Sequence, residues 1–204
     1  SGFRSLCLNK YFIFSFNKKF AMDGPMDYVN PQSLVSTEWL AEHINAPDVR
    51  IVDASWYMPA ENRNPEVEYQ AEHIPGAVRF DIDEIADTDS DLPHMMPSPE
   101  KFSSRMRKLG IGDGNRVVCY DGGMMMSAAR AWWMLRTFGH DDVAILDGGM
   151  TKWKAEGRAL EDLPPAPRER HFTARLNTTM IRYADQMLAN IDSKKEQVVD
   201  ARAQ

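Results

Sequence analysis

Apolar positions along this chain fall into two rhythms. Short runs rich in β-branched residues at 50–53, 77–80, 116–120 and 143–146 are bounded by Gly, Pro and Asp, and these predict strands. Between them the apolar residues recur at helical spacing. Ser98, Pro99 and Glu100 supply an N-cap, a rigid first position and a first-turn acid, so a helix opens there, and Gly110 closes it. Residues 127–138 predict a second helix with Gly139 just past its end, and residues 150–156 a short third one ended by Gly157. A further helix is expected at 38–44, ahead of the first strand. Strands alternating with helices predict an α/β domain, with a mainly parallel central sheet and helices on both faces.

Residues 163–168, Leu-Pro-Pro-Ala-Pro-Arg, can neither continue a helix nor sit inside a sheet, so a linker is expected over 163–172. Beyond it, helix-like residues 180–193 lead into Gln197-Val198-Val199-Asp200-Ala201-Arg202. That run echoes Arg50-Ile51-Val52-Asp53-Ala54-Ser55, 147 residues upstream. Common strand chemistry is the competing account of so short a match, but the linker lies where a duplicated domain would need it. The expected layout is therefore a leader at 1–30 outside the fold, a domain at 31–162, the linker, and at 173–204 the start of a second, truncated domain. The parent protein would then hold about 300 residues.

Residues 1–21 contain Arg4, Lys10, Lys18 and Lys19, no Asp or Glu, and many aromatics. Either they are a targeting segment or they are upstream sequence ahead of Met22 or Met26. The second reading is preferred, because the chain begins with Ser1 and both methionines could serve as starts.

Composition narrows the classes. With 204 residues, 43% hydrophobic and 26% charged, the chain is expected to be soluble and globular rather than fibrous or disordered. The apolar-rich stretch at 11–16, interrupted by Ser15, is only six residues long, whereas a membrane-spanning helix needs roughly eighteen or more. A net charge of -6 and a pI near 5.4 argue against nucleic acid and anionic lipid as partners. Cys7 and Cys119 form no spaced framework, so no disulfide scaffold and no metal site is expected. A reducing compartment fits best: the cytoplasm, or the mitochondrial matrix if the basic leader is a targeting segment.

Residues 116–130 combine a strand, a Gly-containing loop and a helix start. In an α/β sheet that arrangement makes loop N–H groups and a helix N-terminus converge on one point, which favours an anion. Thiolate or persulfide chemistry there would need a Cys of lowered pKa at the loop's first position, which in this chain is Asp121. Cys119 lies two residues earlier inside the strand, where packing is the expected role. Cys7, in the leader, is not a credible nucleophile.

Glu72-His73-Ile74-Pro75-Gly76-Ala77 before one strand, and Leu146-Asp147-Gly148-Gly149-Met150-Thr151-Lys152-Trp153 after another, resemble the two signatures that bracket a rhodanese domain. Val52-Asp53-Ala54-Ser55-Trp56-Tyr57, Phe80-Asp81-Ile82-Asp83, Leu92-Pro93-His94-Met95-Met96-Pro97 and Ser127-Ala128-Ala129-Arg130-Ala131-Trp132-Trp133-Met134-Leu135-Arg136 narrow the likeness. Over about residues 33–202 the chain resembles the amino-terminal part of the two-domain 3-mercaptopyruvate and thiosulfate sulfurtransferases. In that family the first domain has lost its cysteine and the second carries it, in keeping with Asp121. The resemblance implies sulfane sulfur moved from 3-mercaptopyruvate, or alternatively thiosulfate, through a Cys persulfide to a thiol, thioredoxin or cyanide, with no cofactor. It further implies that an Asp and a His of the first domain form a Ser-His-Asp relay with the second-domain loop, and the matching positions are Asp83 and His94. Spacing alone would make Asp83 a strand-end turn residue and His94 an exposed loop residue. The Cys loop, its serine and the substrate-binding arginines would lie beyond Gln204, so this chain alone is expected to be inactive.

Other conspicuous residues carry plainer expectations. His73, in its His-Ile-Pro-Gly turn, is expected to hydrogen-bond the backbone. Asp53, Trp56 and Tyr57 either line an interdomain cleft or pack. Trp132, Trp133 and Met134 share a helix with Ala128, Ala129 and Leu135 and read as core. Met124, Met125 and Met126 form either an apolar loop tip facing a partner domain or unassigned surface. A competing class is a catalytically silent rhodanese module that binds a partner or an anion. A phosphatase of the same fold would need Cys at position 121 and is set aside.

Overall fold

The structure, a computed structural model, describes residues 30–200. The leader, including Cys7, lies outside the described residues. In chain order the elements are β1 (Leu34–Val35), α1 (Thr37–His43), β2 (Val49–Asp53), α2 (Pro65–Ala71), β3 (Val78–Arg79), α3 (Ile82–Ile85), α4 (Pro99–Lys108), β4 (Arg116–Tyr120), α5 (Met126–Thr137), β5 (Val143–Leu146), α6 (Gly149–Ala155) and α7 (Ala184–Ser193). The strands pair in the order β1-β5-β4-β2-β3, every pair parallel. The four strands anticipated between 50 and 146 all join this sheet, although the one expected at 77–80 shortens to the two residues of β3 at the sheet edge. No helix among the described residues is long and apolar enough to cross a membrane.

Alternation along the strands builds two cores. On β4, Val117 and Cys119 point to one face, where Phe102 and Met106 of α4 and Ala131, Met134 and Leu135 of α5 cover them. Val118 and Tyr120 point to the other, against Leu40 of α1 and Met150 and Trp153 of α6. A parallel strand covered on both faces has to be apolar throughout, and β4 is buried from Val117 to Tyr120.

The expected linker is anchored rather than free. Phe172 is buried in the core on the α4–α5 face, and its carbonyl accepts a hydrogen bond from the Ser103 hydroxyl at 2.6 Å. The backbone then runs along the end of α5, with Arg175 N donating to Phe138 O and Asn177 N to Thr137 O. The boundary expected between 172 and 173 therefore falls inside a segment tied to the first unit, because Phe172, Ala174 and Leu176 supply apolar cover that the α4–α5 face needs.

The 147-residue offset recurs in three dimensions. Asn30 precedes a 3-10 turn at Pro31–Ser33, followed by extended backbone and α1, and Asn177 precedes a 3-10 turn at Thr178–Met180, followed by extended Ile181 and α7. The strand expected at 197–202 is not formed over its described part: Val198 and Val199 are exposed and unpaired in any sheet. A strand needs a neighbouring strand and a covered face, and among the described residues neither lies beside α7, whose Leu188 and Ile191 are also exposed.

Candidate functional site

The loop after β4 is closed by its own first residue. Asp121 is buried, and its carboxylate occupies the point on which the loop donors converge. Oδ1 accepts the Gly123 N–H at 2.9 Å and the Met125 N–H at 3.0 Å, and Oδ2 accepts the Ala128 N–H at 2.9 Å and the Ser127 hydroxyl at 3.0 Å. Met125 turns the chain into α5 from the left-handed region, at φ 65°. From the other side, the Asp121 carbonyl accepts Met150 N at the start of α6. A Cβ at Gly149 would come within 2.8 Å of that oxygen, so only glycine allows this approach.

A second layer covers Gly122. Its N–H donates to Ser55 Oγ, its carbonyl accepts from Arg63, and the Tyr57 hydroxyl lies so close that a Cβ at Gly122 would run into it. Arg63 stacks over the Tyr57 ring at 3.6 Å and pairs with Glu68, to which Tyr57 donates at 2.9 Å. Burial, reinforced by Glu68, pushes the Tyr57 hydroxyl up to about 12, while Arg63 holds the Glu68 carboxyl below its usual range. The cluster borders a cavity of about 480 Å3 that also touches Asp53, Thr151 and Lys154. Asp53 itself is buried and accepts the Ser55 N–H, a packing role. Cys119 is fully buried, and desolvation pushes its thiol well above the ordinary cysteine range, so no described thiol is a nucleophile at this loop.

The same end of the sheet carries a polar pair that is open. Asp83 sits in the first turn of α3, which Asp81 caps by accepting the Asp83 N–H. His94 reaches it from the loop before α4: Nε2 lies 2.7 Å from Asp83 Oδ1, and Trp56 Nε1 donates to Oδ2 at 3.2 Å. A carboxylate only accepts, so the neutral ring carries its proton on Nε2. Nδ1 then has a free lone pair and, among the described residues, no hydrogen-bond partner. The His94 side chain is 30% exposed and that of Asp83 64%. Beside them a cleft of about 250 Å3 is lined by Trp56, Ile82, His94, Met126, Ser127 and Arg130. Met58 and Met126, which also line it, are exposed.

Asp83 and His94, 11 residues apart in sequence, are thus brought together, and Asp121 is kept apart from them inside its loop. His73 is buried; its Nδ1 bonds Tyr69 O, its backbone N–H donates to Glu161 O, and its Nε2 lies 3.5 Å from the Glu161 carboxylate. Met134 and Leu135 are core, while Trp132 and Trp133 pack against it partly buried. Sequence reasoning missed Trp56 as the donor to Asp83 and Arg130 as a cleft residue. The one signal for Arg130 was its place a single helical turn past Ser127.

The rhodanese-like domain family matches residues 36–156. The chain belongs to the rhodanese family. Thiosulfate sulfurtransferase from Rattus norvegicus is 44% identical over 179 residues, covering 85% of this chain and 60% of the relative. The 3-mercaptopyruvate sulfurtransferase of Escherichia coli is 44% identical over 170 residues, covering 82% and 60%. In three dimensions the rhodanese domain resembles the crystal structure of SseA from Escherichia coli, described as a 3-mercaptopyruvate sulfotransferase, at a TM-score of 0.80 and 41% identity. That match covers 84% of this chain and 66% of the other. The rhodanese chain thus spans about 60% of the length of these curated relatives.

Proposed function

We propose that this chain is the rhodanese half, lacking a cysteine at the loop position of Asp121, of a two-domain sulfurtransferase whose donor is 3-mercaptopyruvate. A single contrast carries the reading: Asp121 fills the loop where a thiolate would stand, while His94, oriented by Asp83, is left with an open nitrogen toward solvent. In support, the relatives are longer than the chain, and the turn-and-helix arrangement at 30–43 recurs at a constant offset of 147 residues. The second domain would supply the Cys. Its thiolate attacks the sulfur of 3-mercaptopyruvate, the carbon–sulfur bond breaks, and the electron pair passes to carbon as the enolate of pyruvate. The proton that was on the donor thiol ends on that carbon, and His94 Nδ1 is placed to carry it. The persulfide then passes its outer sulfur to a thiol, thioredoxin or cyanide.

Thiosulfate as donor is favoured by one observation, the name of the rodent relatives. Sulfite leaves thiosulfate without needing a proton, so the two donors depend differently on His94. The test is turnover by the full-length parent enzyme with each donor, beside the 204-residue chain alone. The chain alone is expected to be silent. His94→Ala is expected to cut 3-mercaptopyruvate turnover by roughly 10²-fold or more and to leave thiosulfate turnover nearly intact. Equal losses with both donors would remove the proton-carrying role. Turnover by the chain alone would reinstate Cys119, and a parent silent with both donors would favour a binding module.

A further inference from the structure

His94 adopts φ 55°, in the left-handed region that residues with a Cβ disfavour. A side chain held there needs support from its surroundings. Arg130 on α5 supplies a strong contact: Nη2 donates to the His94 carbonyl oxygen at 2.5 Å and lies 3.9 Å from Met96 Sδ, two residues further along the same loop. The guanidinium stacks over Trp133 at 4.7 Å, pairs with no carboxylate among the described residues, and has a buried Nε without a partner. A partly buried cation that bonds a backbone carbonyl in place of a counter-charge is costly unless that carbonyl is what has to be held. Arg130 follows Ala128 by two residues, and the Ala128 N–H and Ser127 hydroxyl are the groups that the Asp121 carboxylate grips.

We infer that Arg130 is a positioning residue for the His94–Asp83 pair, and that the silent loop has become its anchor. Asp121 fixes the first turn of α5, α5 presents Arg130, Arg130 clamps the His94 backbone, and the clamped backbone turns the ring so that Nε2 meets Asp83 and Nδ1 faces outward. Loop donors that could bind an anion are thereby used to aim an imidazole one helical turn away. The kinetic consequence rests on the sulfurtransferase reading, whereas the geometric one does not.

Two measurements test it and fail separately. In the 204-residue chain, the His94 Nε2–H proton is expected to give a downfield, slowly exchanging imidazole resonance. Arg130→Met is expected to abolish it while amide signals outside the cleft stay in place. Arg130→Lys, which keeps the cation but loses the planar fork, is expected to weaken it and serves as the second variant should the first not fold. An unaltered resonance in either folded variant overturns the inference, whatever the enzyme's activity. In the full-length enzyme, Arg130→Met is expected to lower kcat with 3-mercaptopyruvate about tenfold at unchanged KM, with no further loss in a His94→Ala background. A raised KM at constant kcat would make Arg130 a substrate-binding residue, and an undiminished loss in the His94→Ala background would make it a general structural one. Either outcome overturns the proposal.

Discussion

Asp121 replaces an externally supplied anion with one that the chain carries itself. Four donors, three backbone N–H groups and one hydroxyl, would be left unpaired in a dry loop without it, and a buried donor without a partner costs more than a made bond returns. Asp121→Asn keeps the shape but turns one acceptor oxygen into an NH2 that faces other donors. The expected loss is roughly 2–4 kcal/mol of folding stability, measured as a shift in urea midpoint at constant slope. A change within about 0.5 kcal/mol, the range of a surface substitution, would show that these donors find other partners. At this scale the sequence was legible where a residue type excludes a chemistry: Asp at position 121 rules out a thiolate, and alternation along β4 puts Cys119 in the core. It was not legible where a role depends on a partner distant in sequence. Trp56 donates to an acceptor 27 residues away, and nothing in its own neighbourhood marks it for that.

Elements were legible in proportion to their local signals. α4 starts where Ser98 accepts the Lys101 N–H and ends before Gly110 at φ 68°, while Gly139 and Gly157 take φ 85° and 66° after α5 and α6. β1 is two residues long, too short for any period to show, and α3 is a single turn. α2 did carry a readable start, since Asn64 caps it by accepting from Glu66 N and Val67 N with Pro65 at the first position. The proline-rich segment reads as a linker because its composition forbids regular structure, yet lacking regular structure does not mean lacking packing. Phe172 is 2% exposed, and a Cβ at Gly110 would press within 2.8 Å of Pro167 Cβ. Phe172→Ala should therefore cost about 3–5 kcal/mol, read from thermal and urea unfolding, because it empties a site between α4 and α5. Leu163→Ala, at a position 77% exposed, is the matched control and should be near neutral. Equal effects would mean that the segment is a tether without a packing role.

Across the whole molecule, the parallel sheet gathers the chain's chemistry at one end, where strand carboxyl termini open into loops, and leaves several ionisable groups buried. Burial pushes the Tyr57 and Tyr69 hydroxyls from their ordinary value of 10.0 up to about 12, with Glu68 and Asp53 respectively adding to the effect. Burial likewise drives the Cys119 thiol and the Tyr120 hydroxyl upward, Tyr120 also facing the Asp53 carboxylate. All four shifts have the same sign, so their effects accumulate. In each case the folded state keeps a proton that the unfolded chain releases, and stability must then fall as pH rises. The contribution is intact below the ordinary values of 9.0 for cysteine and 10.0 for tyrosine, declines above them, and for Tyr57 and Tyr69 is lost as pH passes through about 12. Unfolding midpoints taken in half-unit steps from about pH 8 to pH 11 should hold level at first and then drop with increasing slope. Tyr69→Phe removes one of the four groups, together with the hydroxyl's bond to Ala77 O at 2.7 Å, so it should lower the plateau but flatten the alkaline decline. Cys119 should resist thiol reagents throughout the plateau and react only at the rate of unfolding, because its sulfur has no path to solvent in the native sheet. A midpoint independent of pH over that range would mean that these hydroxyls and the thiol reach water in the folded protein, and that the layers on either side of β4 open far more readily than their packing implies.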